Sequence, residues 1–280
     1  MSSKFWLKNS LRQVFARIIG KIYESPHNEE HPLKFIHVGK CGGTSIVKGL
    51  LSAGCSVHQY HLTRPSFFEQ SNYFLWVRDP IKRYVSAFNH SKAIVDFDIS
   101  QLNGCKPSFS NCQAPHRIQR KIDYGHAYTG DYDNLIRKFD SANHLAESLT
   151  GVDNTLKKKA EKLMCFPLEH IYKGIGWYLD NGDFVDLNYK KILFCGSIET
   201  IKSDFDALVS RYYSFADPPP VLSHIRKNQS RLSIDLSRTA KANVFSFYKD
   251  TDYRAIERLA SYNLISEQLF EMYIKHVNLS

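Results

Sequence analysis

One short stretch of this chain gathers the side chains needed to hold and polarise an anionic group. Residues 35–45 read Phe-Ile-His-Val-Gly-Lys-Cys-Gly-Gly-Thr-Ser. Lys40 carries a full positive charge, and Thr44 and Ser45 offer hydroxyl donors. Gly42 and Gly43 let the backbone come close to a bound group. An apolar run precedes the stretch, and a helical pattern of Ile46, Val47, Leu50 and Leu51 follows it. In a strand–turn–helix of this kind, the free N–H groups and positive dipole end of the new helix face the turn. The chemistry this supports is binding of an anionic group such as a phosphate. A Walker A loop is excluded, because its lysine and hydroxyl close the glycine run as Gly-Lys-Ser/Thr. Here the lysine comes first. Taken alone, the glycines are equally those of a structural strand–helix turn.

A second stretch supplies an arginine. Residues 73–90 read Tyr-Phe-Leu-Trp-Val-Arg-Asp-Pro-Ile-Lys-Arg-Tyr-Val-Ser-Ala-Phe-Asn-His. Tyr73–Val77 has the aromatic and branched composition of a buried strand. Asp79 can cap the next helix and Pro80 suits its first turn. Ile81, Tyr84, Val85 and Phe88 fall at helical spacing and form its buried face, leaving Lys82, Arg83, Ser86 and His90 off that stripe. Arg78 thus stands at the carboxyl end of a strand, the edge where open α/β sheets bind ligands, with Ser86 on the helix behind it. A guanidinium can grip a phosphate through two parallel hydrogen bonds. The competing reading makes Arg78 an ion-pair partner of Asp79 or another acid.

Together the two stretches resemble the nucleotide motifs of sulfotransferases that use 3′-phosphoadenosine-5′-phosphosulfate (PAPS), in particular the carbohydrate, Golgi-type relatives. The family's 5′-phosphosulfate loop often reads Pro-Lys-Thr-Gly-Gly-Thr-Ser. It is matched at Lys40, Gly42, Gly43, Thr44 and Ser45, while Gly39 stands in place of the proline and Cys41 in place of the threonine. The family's 3′-phosphate motif, Arg-Asp-Pro, then Arg, then Ser, is matched from Arg78 to Ser86. A later Glu-Thr…Asp-Phe pattern is matched by Glu199, Thr200, Asp204 and Phe205. The resemblance covers residues 33–275, closely at the first two motifs and loosely elsewhere.

The resemblance implies a P-loop-like central parallel sheet flanked by helices, with a mostly helical C-terminal half. It implies sulfuryl transfer by in-line displacement to a hydroxyl of a carbohydrate or glycolipid, with 3′,5′-ADP as product and no metal. Carried over by position, residues Lys40, Cys41, Gly42, Gly43, Thr44 and Ser45 hold the 5′ end of the donor, and Arg78 and Ser86 hold its 3′-phosphate. Lys40 also acts on the leaving oxygen. Glycan 2-O- and 6-O-members keep a catalytic histidine between the two motifs, which implies His61 as base, with His58 second. Both histidines are read as following the second strand. His37 and Glu199 read as structural or supporting residues. Arg226 and Lys227, with Arg231, lie in a late basic loop of the kind the family folds over its nucleotide. Arg117, Arg120 and Lys121 are candidate contacts to an acidic acceptor.

Around these motifs, the 280 residues with 43% hydrophobic content suffice for one large α/β domain. The formal net charge of +9 suits a polyanionic partner. No basic stripe with interleaved aromatics marks a nucleic-acid surface. The six cysteines form no Cys-x-x-Cys pair, and Cys41, Cys55 and Cys195 fall in or beside core elements, so reduced thiols are expected. Residues 1–33 read as a basic amphipathic helix, with Leu7, Leu11, Val14, Phe15, Ile18 and Ile22 on one face, followed by a polar linker. This helix is expected to pack on the domain or, through residues 4–23, to touch an anionic membrane. No run reaches the roughly 18–20 apolar residues of a membrane span. A cytoplasmic, bacterial protein is the expectation.

Residues 34–280 read as a single domain. Strands are expected near 34–39, 55–60, 73–78 and 190–195, with helices near 44–53 and 80–94. Residues 96–130 read as an irregular insertion that shapes the acceptor site, and 131–181 as mostly helical. A helix runs from Gly196 through Tyr213, and helices near 239–249 and 251–275 end the chain. Two other functions compete: a P-loop nucleotide kinase or phosphotransferase, and a non-catalytic nucleotide- or membrane-binding protein. The kinase needs a Gly-Lys-Ser/Thr ending and a metal-binding acid on a strand end, and neither is evident.

Overall fold

Asn72–Val77 is the most apolar strand of the chain, and it takes an interior place in the sheet. The structure is a computed structural model and describes residues 33–108, 112, 114–167, 169–213, 220–222 and 235–275. The N-terminal helix expected over residues 4–23, and the late loop with Arg226, Lys227 and Arg231, lie outside the described residues. Four strands form one parallel sheet: β1 (Leu33–Ile36), β2 (His58–Tyr60), β3 (Asn72–Val77) and β4 (Ile192–Ser197). Their spatial order is β2-β1-β3-β4. Registers run Phe35 to Gln59 and Phe35 to Phe74, and Leu75 to Cys195. The rings of Phe35 and Phe74 stack with centroids 4.7 Å apart, and Trp76 meets Phe74 edge-on.

Because every strand is parallel, all four carboxyl ends open on one edge. The chain leaves β1 for β2 on one side and then for β3 on the other. The crevice at such a switch point is where open α/β sheets bind ligands. It lies between β1 and β3, so the Lys40 loop and Arg78 face each other across it.

Helix α1 (Gly43–Ser52) follows β1, and α2 (Pro80–Val95) follows β3. Asp79 caps α2 as expected, accepting from the Lys82 N–H at 3.0 Å. A helical layer then fills the chain before β4. It comprises α3 (Pro115–Tyr124), α4 (Gly130–Ile136), α5 (Ala142–Ser148), α6 (Asn154–Met164), α7 (Ile175–Tyr178) and α8 (Asp183–Asn188). Beyond β4 come α9 (Ile201–Tyr212), α10 (Arg238–Tyr248), a π-helical turn (Lys249–Tyr253), α11 (Arg254–Ser261) and α12 (Glu267–Ile274).

Four expectations need correction. The stretch 96–130 is not irregular throughout: it holds α3, with Pro115 in its first turn and Gly125 as a left-handed cap at φ 73°. Those two residues mark the ends of a helix rather than a loop. The last helix is not continuous from 251 to 275: a π-turn opens it, and Asn263 at φ 55° separates α11 from α12. The helix after β4 starts at Ile201 rather than Gly196, which still belongs to the strand. Finally, Arg83 does not face solvent. It is fully buried.

Arg83 is buried because α2 is covered on a second side by the C-terminal helices. The apolar residues divide into two clusters, one around the sheet and one among α2–α6 and α10. Arg83 lies where they meet. Its Nε donates to Asp252 Oδ2 at 3.0 Å, its Nη1 to the His170 carbonyl at 2.7 Å and its Nη2 to the Ile171 carbonyl at 3.4 Å. Asp252 Oδ1 accepts from the Gly176 N–H at 2.9 Å. The guanidinium also lies over the Tyr248 ring, 5.0 Å from its centroid.

Removing one member of such a pair leaves a buried charge without its partner, which costs about 3–5 kcal/mol. Arg83→Met should therefore lower unfolding stability by about that amount in urea titrations followed by circular dichroism. Adding Asp252→Asn, which keeps an acceptor for Gly176, should restore a large part of the loss. If the double variant is no more stable than Arg83→Met, the charge pair is not what holds the two clusters together.

Candidate anion-binding site at the sheet edge

The backbone of the loop after β1 is wound into an unusual shape. Lys40 adopts φ 70° and Gly42 φ 79°. A side-chain-bearing residue in the left-handed region costs on the order of 1–3 kcal/mol, and such residues concentrate at ligand sites. Gly42 is the N-cap of α1 and supplies no side-chain cap, and the first turn holds no acidic residue. Among the described residues no side chain caps the positive end of α1. Gly43 is required by a close neighbour: a Cβ there meets His37 Cδ2 at 2.1 Å.

Opposite the loop, Arg78 Nη1 donates to the Lys40 carbonyl at 3.3 Å. Its Nε is buried and has no hydrogen-bond partner among the described residues. A buried guanidinium N–H without a partner is uncommon and marks a place for an acceptor. Ser86 lies half-buried on α2 behind it. The Cys41 thiol is buried in the sheet cluster, and burial pushes its pKa up to about 12. Cys41 can serve a ligand only through its backbone. Lys40 itself is lowered to about 8, first by burial and then by the Arg78 charge.

Around Lys40 the fold assembles imidazoles from separate parts of the chain. His37 Nδ1 lies 2.8 Å from Gln59 Oε1; the amide oxygen accepts, so this nitrogen carries the proton. Burial, then His61, lower His37 to about 4, with the Gln59 bond opposing and Lys40 adding to the fall. The rings of His37 and His61 lie 4.3 Å apart. His61 keeps an exposed edge, yet its pKa is lowered, first by the partial loss of water around the ring and also by Lys173, Lys40 and His116. Beyond it come His170, 5.8 Å from His61, and His90, 6.1 Å from His170. Burial, with Lys40, His90 and His61, pushes His170 well below its ordinary value. These shifts favour neutral His37, His61 and His170 at pH 7, and a neutral ring can accept a proton.

The structure separates the two candidate bases. His61 follows β2, at the open edge. His58 begins β2, exposed and in register with Lys34, at the far end of that short strand. The expectation that both follow the second strand is therefore corrected. The insertion cations also divide. Lys121 Nζ donates to the carbonyls of Val95 and Phe97, at 2.7 and 2.6 Å, and so fastens α3 to the end of α2. Arg117 lies 3.5 Å from Glu169 and over the Tyr128 ring, while Arg120 is exposed. Burial raises Glu169 to about 7, opposed by Arg117 and Lys173.

The later Glu-Thr…Asp-Phe residues organise the turn after β4. Ser197 Oγ and the Tyr273 hydroxyl donate to Glu199 Oε2 at 2.7 and 2.6 Å. Asp204 Oδ2 accepts from the Ser197 N–H and Thr200 Oγ1, both at 2.7 Å. Phe205 is in the sheet core. Among the described residues, no group of three or more His, Cys, Asp and Glu side chains could hold a metal ion. No helix among them is long and apolar enough to cross a membrane.

Sequence reading missed His170 and undervalued His90. A signal existed for His90, which lies one helical turn after Ser86 on the same face. None existed for His170, whose neighbours in the site all come from distant segments. Comparison with protein-family models, curated proteins and solved structures found no match to this chain.

His37 makes stability depend on pH with a definite sign. Its folded pKa of about 4 lies below the ordinary histidine value of 6.5, so protons favour the unfolded chain. Its contribution is complete above pH 6.5 and is lost as pH falls toward 4, a change of roughly 3 kcal/mol. His37→Phe, which cannot take up a proton, should show a shallower fall in unfolding free energy between pH 7 and 4. Parallel curves for the two proteins would show that His37 titrates alike in the folded and unfolded chain.

Proposed function

We propose that this chain is a PAPS-dependent sulfotransferase acting on a hydroxyl, with a carbohydrate or glycolipid as acceptor. One observation carries the reading: Lys40 on its left-handed loop and Arg78 face each other across the β1–β3 switch point, beside a helix start with no side-chain cap. A donor with a phosphate at each end of its ribose suits two cationic grips of this kind. The buried Arg78 Nε, without a partner among the described residues, supports the fit to a 3′-phosphate. The resemblance of the two motifs to the family's nucleotide loops supports the same assignment.

In this reading the backbone of residues 42–45 and the α1 dipole bind the 5′-phosphate, and Arg78 with Ser86 binds the 3′-phosphate. PAPS, when bound, supplies an activated sulfuryl group on a good leaving phosphate. Lys40 places its charge where negative charge grows on the leaving oxygen. A preorganised donor of this sort is worth about 3–4 kcal/mol in barrier. His61 accepts the acceptor's proton through a neutral ring, and His37 backs that ring. Arg120, exposed on α3, is offered to an acidic acceptor, whereas Arg117 is engaged by Glu169 and Tyr128 and Lys121 is committed to the fold.

Calorimetry tests the donor assignment. The protein should bind 3′,5′-ADP without metal more tightly than ATP–Mg²⁺. Arg78→Ala should weaken 3′,5′-ADP far more than 5′-AMP, because it removes a charge-assisted pair to the 3′-phosphate alone. Preference for ATP–Mg²⁺ would favour the kinase reading instead, and equal loss for both nucleotides would reduce Arg78 to a brace for the Lys40 loop.

The base is tested by turnover. His61→Ala should lower the rate about 10²–10⁴-fold with little change in 3′,5′-ADP affinity. In the native enzyme the rate should fall as acid protonates His61, and because its pKa is lowered, this limb lies below the usual histidine range. His58→Ala should remain active. Full activity of His61→Ala removes it as base.

A further inference from the structure

Gly39 occupies the place where the resembling loops carry proline, and the structure shows what fills the space. A Cβ at Gly39 meets His170 Nδ1 at 2.4 Å and Cε1 at 2.9 Å. The imidazole lies directly on the glycine, one residue before Lys40. It arrives from the helical layer, between α6 and α7, and its backbone is fixed there by Arg83, whose Nη1 donates to the His170 carbonyl at 2.7 Å. The ring's Nδ1 is buried and has no hydrogen-bond partner among the described residues. Its position therefore comes from packing and from its anchored backbone.

We infer that His170 is a positioning residue for Lys40: its ring seals the lysine's loop from the helical side and holds Lys40 in its water-poor setting. A ring brought from another part of the fold does here what a proline would do within the loop. The charged and titratable neighbours of Lys40 are Arg78 from the end of β3, Cys41 from its own loop, and the imidazoles of His37, His61 and His170. A neutral imidazole adds no repulsion to this group, whereas a lysine or arginine at position 170 would oppose Lys40. Lys40 is lowered to about 8, first by burial and then by the Arg78 charge, and the His170 ring covers the loop on one side. The inference rests on the proposed function only for what Lys40 acts upon.

The test reads Lys40 directly, with no nucleotide present. Lysines are reductively methylated with ¹³C-formaldehyde, and the Lys40 signal is assigned by its loss in Lys40→Arg. In the native protein its NMR titration midpoint should lie near 8. His170→Ala admits water and should move the midpoint up by about one pH unit or more. His170→Phe, which fills the space without a ring nitrogen, should stay near the native value. Gly39→Ala should lower the melting temperature in the native background and have much less effect beside His170→Ala. If His170→Ala does not fold, His170→Asn is read in the same way. A folded His170→Ala, or His170→Asn in its place, with an unchanged Lys40 midpoint overturns the inference, as does an equal cost of Gly39→Ala in both backgrounds. Failure to bind 3′,5′-ADP would count against the sulfuryl-transfer reading and leave this result standing.

Discussion

The buried Arg83–Asp252 pair is the interaction on which the rest of the arrangement depends. Asp252 is 169 positions from Arg83, and with it the guanidinium joins α2, the 170–171 backbone and the π-turn at the junction of the two apolar clusters. An ion pair in that place is not the most economical source of stability, since well-packed apolar residues often do as well. Its consequence is positional. Arginine's fixed fork directs its donors to one carboxylate and two carbonyls at once, and so sets where His170 stands relative to the Lys40 loop.

That placement shapes the electrostatics of the sheet edge. His37, His61 and His170 are pushed toward neutrality by lost water and by nearby cations: Lys40 for all three, Lys173 for His61 and Arg83 for His170. The two effects have the same sign for an imidazole, so they add. For Glu169 they oppose: burial raises its pKa while Arg117 and Lys173 lower it, and burial prevails. The edge thus combines cations, which attract an anionic group, with neutral rings, which can accept a proton.

Much of the fold can be read from local pattern. The run Tyr73–Val77, the Asp79 cap with Pro80, and the strand–turn–helix around Gly42 each depend on neighbours within a few positions, and each forms close to where its pattern places it. Misreadings arose where one residue type serves two ends. Pro115 and Gly125 read as loop residues, yet they are the start and stop of α3. Arg83 falls off the buried stripe of α2, yet it is buried, because that stripe marks one buried face and is silent about a second.

The sequence by itself determined the glycine-rich turn after β1, the arginine after the third strand and the α/β class, because glycine freedom, capping and side-chain periodicity act over a few residues. Only the tertiary structure decided which histidines share the site. Strand register sends His61 to the open edge and leaves His58 at the start of its strand. The pairing of His170 with Gly39, and of Arg83 with Asp252, joins segments far apart in the chain. Such contacts are set by how whole layers pack and by where a buried charge can find its counterpart. No local propensity encodes either condition.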